Sequence, residues 1–134
     1  MKRVFVDTSF YVALVGPRDE LHERATDLLK GFSGKMITTD FVLVELGNFL
    51  SKMRERGVFT AMLERLRCDE QVAILEASRE LIDLGVGLFK ARPDKSWSVT
   101  DCISFVVMER EKITEALTAD RHFEQAGFSA LLTS

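Results

Sequence analysis

Proline is nearly absent from this chain, with Pro17 and Pro93 the only two in 134 residues, and no stretch is rich in glycine and serine. A disordered linker and a fibrous repeat are thereby excluded. Cysteine is equally scarce. Cys68 and Cys102 stand far apart, form no C-x-x-C pair and fall in apolar helical settings, so both are expected as buried free thiols. Histidine is confined to His22 and His122, too few soft donors for an ordinary zinc site of nitrogen and sulfur ligands. No apolar run approaches the roughly 20 residues that a bilayer-spanning helix needs. Met-Lys-Arg leads straight into a strand pattern rather than a signal sequence, so a cytoplasmic protein without a membrane partner is expected. An excess of basic charge is missing too: 18 Lys and Arg stand against 21 Asp and Glu, a net charge of -3, which gives no global attraction to nucleic acid.

What is present is a mixture of 46% hydrophobic and 29% charged residues, suited to one compact domain spanning residues 1–134. Lys2 to Val6 reads as a strand, cut off by Asp7-Thr8-Ser9, which has helix N-cap chemistry. Asp19 is placed to cap a helix over about 20–30 that Gly31 ends. Lys35 to Thr38 reads as a second strand. Thr39 or Asp40 then opens a helix whose stripe of Val42, Leu46, Phe49, Leu50 and Met53 runs to Gly57, followed by a shorter helix over about 59–67. Val72 to Leu75 is a third strand, with a helix over about 78–91 behind it. Another helix starts at Ser98 or Thr100 and runs through Glu111; Ala116 to Thr118 and Phe128 to Leu132 read as fourth and fifth strands. Short apolar strands alternating with amphipathic helices predict an α/β fold, a three-layer α/β/α sandwich around a short, mostly parallel sheet.

Ligands bind such sheets beyond the carboxyl ends of the strands. Asp7 follows the first strand and Asp120 the fourth, so both carboxylates should emerge at one edge, although an Asp in such a turn also serves as a helix cap. Asp101 falls in the first turn of its helix, where the helix dipole favours a carboxylate whatever its function. Glu45 lies at the flank of the buried stripe, about 40° from Phe49 and about 60° from Val42 on the helical wheel. A carboxylate there must be paired, as by Arg3 or Arg121, or hydrogen-bonded, or raised in pKa, or bound to a cation. Four carboxylates drawn together repel one another, and a divalent cation resolves the repulsion. An all-oxygen set without histidine suits Mg²⁺ or Mn²⁺, with Thr8 and Thr100 beside the carboxylates to orient them or their waters.

Val-Phe-Val-Asp7-Thr-Ser, Thr38-Thr-Asp-Phe-Val-Leu-Val-Glu45-Leu, Ser98-Val-Thr-Asp101-Cys-Ile-Ser and Leu117-Thr-Ala-Asp120-Arg-His-Phe, taken in order, resemble the PIN-domain ribonucleases, above all the VapC-like toxins of toxin-antitoxin pairs. The likeness extends over nearly the whole chain. It implies a Mg²⁺- or Mn²⁺-dependent endoribonuclease with Asp7, Glu45, Asp101 and Asp120 as its acidic quartet, Thr8 and Thr100 matching the polar residues beside it. It also implies an RNA substrate, a homodimer and a small antitoxin partner. Arg121, next to Asp120, is placed to contact a phosphate. Lys52, Arg54, Arg56, Arg65 and Arg67 gather positive charge around the middle helices, either as a track for RNA or as a solvated face balanced by Glu55 and Glu64. Phe123 reads as core rather than as a stacking platform, and Trp97 as a core edge or an interface residue.

Two rivals differ in their requirements. An aspartyl-nucleophile phosphatase needs a second Asp two residues after the first, where this chain has Ser9; P-loop and serine-hydrolase motifs are absent as well. A PIN module that binds RNA or protein without cutting is the alternative, against which the intact quartet argues.

Overall fold

The computed structural model describes residues 2–134 and consists of a five-stranded sheet flanked by helices. In chain order the elements are β1 (Arg3–Val6), α1 (Thr8–Val15), α2 (His22–Gly31), β2 (Lys35–Thr39), α3 (Asp40–Phe49), α4 (Met53–Cys68), β3 (Val72–Leu75), α5 (Arg79–Ala91), α6 (Val99–Glu111), β4 (Glu115–Leu117), α7 (Arg121–Gln125) and β5 (Ser129–Ala130). The strands lie in the order β3-β2-β1-β4-β5, and every pairing is parallel. The expected α/β sandwich with a short parallel sheet is therefore observed.

Right-handed crossovers place the helices that link β1, β2 and β3 on one face of the sheet. The return from β3 across to β4 then carries α5 and α6 to the other, where α7, between β4 and β5, joins them. The side chains of β1 separate accordingly. Phe5 meets Phe123 of α7 at 6.2 Å between ring centroids, and Phe105 of α6 stands edge-on to both Phe123 and Trp97, at 4.9 and 5.0 Å. Phe123 is fully buried, so its role is core; Trp97 joins the same cluster and donates its indole N–H to Gln125 Oε1 at 3.0 Å. On this face α5 lies so close to α6 that a Cβ at Gly85 would come within 2.4 Å of Ile103 Cγ1, which explains a glycine inside a helix. Burial of large side chains such as Phe5, Phe123 and Leu46 supplies on the order of 2–3 kcal/mol each.

The middle of the chain departs from expectation. The helix from Asp40 stops at Phe49 rather than Gly57, and the second helix of the hairpin is the longer one, 16 residues from Met53. Leu50 is buried at the break, while Ser51 and Lys52 carry the chain into the next helix. Gly47 permits the sharp return, because a Cβ there would meet the Phe59 ring at 3.0 Å. Phe49 and Met53, expected on a buried stripe, are 59% and 91% exposed. Cys68, expected to be buried, is exposed at the end of α4, whereas Cys102 is buried as expected. The short helix α7 was not anticipated. No helix among the described residues is long and apolar enough to cross a membrane.

Candidate active site

The β1–β4 pairing fixes the centre of the site. Val6 is in register with Leu117, and the Asp7 N–H donates to Leu117 O at 3.2 Å, so Asp7 leaves β1 beside Thr118. This is the point where successive crossovers depart to opposite faces of the sheet, the place where open parallel sheets bind ligands. The following helix α1 turns Thr8 and Ser9 back toward the same edge.

Asp7 is buried, and its neighbours hold it in a defined orientation. Thr118 donates its hydroxyl to Asp7 Oδ2 at 2.9 Å, and Ser9 donates to the same oxygen at 3.1 Å. The backbone N–H of Asp120 donates to Thr118 Oγ1 and that of Ala119 to Ser9 Oγ, both at 3.0 Å. The two hydroxyls also lie 3.1 Å apart, so Ser9, Thr118 and Asp7 form one small hydrogen-bonded cluster anchored by the two amides. Burial nonetheless raises the Asp7 carboxyl from 3.8 to about 6, with the charge of Asp101 adding to the rise and the Thr118 and Ser9 bonds opposing it. Ser9, a helix cap in the sequence reading, is thus a support for Asp7, and Thr118 was not singled out at all. The signals were present as Asp-x-Ser at 7–9 and Thr-x-Asp at 118–120.

Glu45 comes from α3 on the first face. Its Oε1 accepts the Thr8 hydroxyl at 2.5 Å, so Thr8 stands beside the quartet as expected. Neither arginine considered as its partner reaches it: Arg3 pairs with Glu111 at 2.7 Å, and Arg121 is exposed in the first turn of α7. Thr100 lies in a neighbouring groove with Glu45, Asp40 and Asn48, apart from the residues around Asp7. Asp101 arrives from the other face in the first turn of α6. It is locked there by a reciprocal cap in which Ser98 Oγ accepts from the Asp101 N–H at 3.0 Å and Asp101 Oδ2 accepts from the Ser98 N–H at 3.1 Å. Asp120 caps α7, its Oδ1 accepting from the His122 N–H at 2.9 Å.

His122 alters the expectation of an all-oxygen set. Its Nδ1 lies 3.1 Å from Asp101 Oδ2 and 3.3 Å from Asp120 Oδ1, so one imidazole bridges two members of the quartet. Asp101, Asp120 and His122 each offer a ligand atom within 4.8 Å of the others. A single histidine two residues after an aspartate is not by itself a metal motif, and only the fold sets Asp101 against it.

The open cleft of about 460 Å³ around these groups is lined by Asp7, Asp19, Glu45, Asp101 and Asp120, together with Thr8, Ser9, Ser98 and His122. No lysine or arginine is among its lining residues, so the carboxylates have no fixed cation to balance them. Hard oxygen donors, one imidazole and uncompensated negative charge form a donor set that fits a divalent cation. The bases considered as an RNA track lie elsewhere. Lys52, Arg54 and Arg56 stand at the start of α4 and Arg65 and Arg67 at its end, roughly 20 Å along the helix axis.

Comparison with known proteins agrees with this architecture. The chain is 27% identical over 125 residues to the 23S rRNA-specific endonuclease VapC20 of Mycobacterium tuberculosis, an alignment that covers 93% of this chain and 95% of that protein. The crystal structure of M. tuberculosis VapC20, described as a sarcin-ricin loop cleaving toxin, superposes with a TM-score of 0.85 at 26% identity over the same shares of the two chains. FitAcB from Neisseria gonorrhoeae shares the fold alone, with a TM-score of 0.69 at 15% identity over 95% of this chain and 94% of that one. Residues 4–129, which carry nearly all of the sheet and all four carboxylates at its edge, match the PIN domain family, and the chain belongs to that family.

Proposed function

We propose that the chain is a single-domain, divalent-ion-dependent endoribonuclease of the VapC type, hydrolysing RNA phosphodiester bonds. The observation that carries this reading is the convergence of Asp7, Glu45, Asp101 and Asp120 on one cleft without a lysine or arginine to balance them. The similarity to VapC20 supports the same chemistry. Asp7, Asp101 and Asp120 would hold Mg²⁺ or Mn²⁺. When bound, such an ion lowers the pKa of a water and offsets charge building on the phosphate.

The protein's own groups supply the rest. Thr118 and Ser9 aim Asp7 through Oδ2, so the carboxylate need not be ordered at the moment of reaction. Thr8 occupies Glu45 Oε1 and leaves Oε2 to orient the attacking water and accept its proton. The Ser98 cap fixes Asp101 at the opposite wall. Arg121, exposed beside Asp120, lies outside the lining of the cleft and is assigned to a phosphate flanking the scissile one. A cytoplasmic setting follows from an RNA substrate. The proposed partners are a second copy of the chain and a small antitoxin protein.

The test uses purified protein, single-stranded and structured RNAs including a ribosomal fragment that carries the sarcin-ricin loop, and buffers with Mg²⁺, Mn²⁺ or EDTA. Cuts at discrete positions are expected with either ion and none with EDTA, and Asp7→Asn should cut at least about 100-fold more slowly. Cleavage that survives EDTA or the substitution would sink the mechanism. RNA binding without cleavage across the panel would favour the non-cutting module.

A further inference from the structure

His122 lies outside the acidic quartet, yet its ring meets two of the quartet's carboxylates. Its Nδ1 stands 3.1 Å from Asp101 Oδ2 and 3.3 Å from Asp120 Oδ1. In an octahedral site with metal–ligand bonds of about 2.1 Å, adjacent ligand atoms stand about 3.0 Å apart. Without an ion the 3.1 Å contact is an imidazole–carboxylate hydrogen bond, and the same spacing matches that of a ligand adjacent to both carboxylates. We propose that His122 Nδ1 is a direct ligand of the divalent ion, and that this nitrogen makes the centre prefer Mn²⁺ over Mg²⁺. The proposal rests on the reading of the cleft as a divalent-ion site and specifies which atoms hold the ion.

The backbone fixes His122 in place. It occupies the second position of α7, where its N–H is bound by Asp120 Oδ1 at 2.9 Å. The next residue, Phe123, is fully buried between Phe5 and Phe105, which pins the start of the helix to the core. The imidazole side chain is 21% exposed, and its only recorded partners among the described residues are the two aspartates and no basic group. The chain's other imidazole, that of His22, is engaged elsewhere, with Nδ1 2.8 Å from Ala13 O.

The choice of ion follows from donor chemistry. Mg²⁺ takes oxygen ligands and gains little from a nitrogen, whereas Mn²⁺, which shares the preference for oxygen and stands at the weak end of the first-row transition series, still takes up an imidazole more readily than Mg²⁺ does. Adding one imidazole to the three aspartates thus raises Mn²⁺ affinity more than Mg²⁺ affinity. Removing the ring should lower the first about tenfold and leave the second within about threefold.

The deciding experiment is electron spin-echo envelope modulation on the full-length protein loaded with Mn²⁺ without RNA, with Mn²⁺ and Mg²⁺ dissociation constants measured by titration. Modulation from a directly bound imidazole nitrogen is expected in the parent protein and in His22→Gln, and is lost in His122→Asn, with the Mn²⁺ preference falling about tenfold. The parent spectrum alone is decisive even if a variant folds poorly. A bound Mn²⁺ without nitrogen modulation, or modulation and preference unchanged in a folded His122→Asn, overturns the assignment. If RNA is nevertheless cut in an ion-dependent manner, the nuclease reading survives that result; if the parent binds neither ion, both fall together.

Discussion

Neutralising Asp7 should stabilise the metal-free protein while abolishing its chemistry. The carboxyl is 5% exposed, and burial holds its pKa at about 6 against 3.8 for a free side chain. A raised carboxyl favours the protonated form in the folded state. Its contribution is favourable below the unfolded value and is lost as pH rises through the folded one, so the penalty is complete above about pH 6. The difference of roughly two pKa units corresponds to about 3 kcal/mol at pH 8 and only about 1 kcal/mol at pH 4.5. Asp7→Asn keeps an oxygen for the Thr118 and Ser9 hydroxyls to donate to and removes the charge. At pH 8 in EDTA the variant should therefore melt about 10 °C above the parent, with the gap shrinking to a third of that near pH 4.5. Mg²⁺ or Mn²⁺ should raise the melting temperature of the parent and leave that of the variant nearly unmoved. Calorimetry over pH 4 to 8 with and without ion measures all of this. A variant that melts at or below the parent at pH 8, with no trend in pH, would refute the account of Asp7 as a buried charge awaiting a cation.

Other substitutions probe different links. Thr118→Val removes the donor to Asp7 and the acceptor for the Asp120 N–H; it should cost about 2 kcal/mol in thermal melts and at least about tenfold in RNA cleavage, with Thr118→Ser restoring most of both. Gly85→Ala drives a methyl into Ile103 across the α5–α6 contact and should cost about 2–3 kcal/mol, read as a lower denaturation midpoint with an unchanged slope. Phe123→Ala empties a fully buried position and should lose about 3–5 kcal/mol, whereas Phe49→Ala, at a side chain 59% exposed, should change stability by no more than about 0.5 kcal/mol.

The strands were legible because each is a short β-branched run closed by polar residues, and the meeting of four carboxylates in one cleft was legible because three of them sit at strand ends or helix starts. The α3–α4 turn was hidden. Its break at Leu50 uses no proline or glycine, and Gly57, which reads as a terminator, is exposed inside a helix where it costs only about 1 kcal/mol. Gly47, inside α3, leaves room for the Phe59 ring of the returning helix, a contact between residues twelve apart that no local pattern announces. The five residues of α7 are too few for a periodic signal. His122 is an isolated imidazole with no spacing to read, and its partner Asp101 is supplied by a different helix.

The β1–β4 register sets an order on the assembly of the cleft. Asp7 and Glu45 belong to the first 45 residues of the chain, but Thr118 and Asp120 reach them only through a strand pairing that spans more than a hundred residues. A chain synthesised as far as α6 can hold three of the carboxylates and still lacks the strand that fixes Asp7 and the helix that presents Asp120 and His122. Completion of the cleft thereby waits on the least local contact in the sheet. In the proposed nuclease, the fold itself would keep the partly made molecule harmless to the RNA around it.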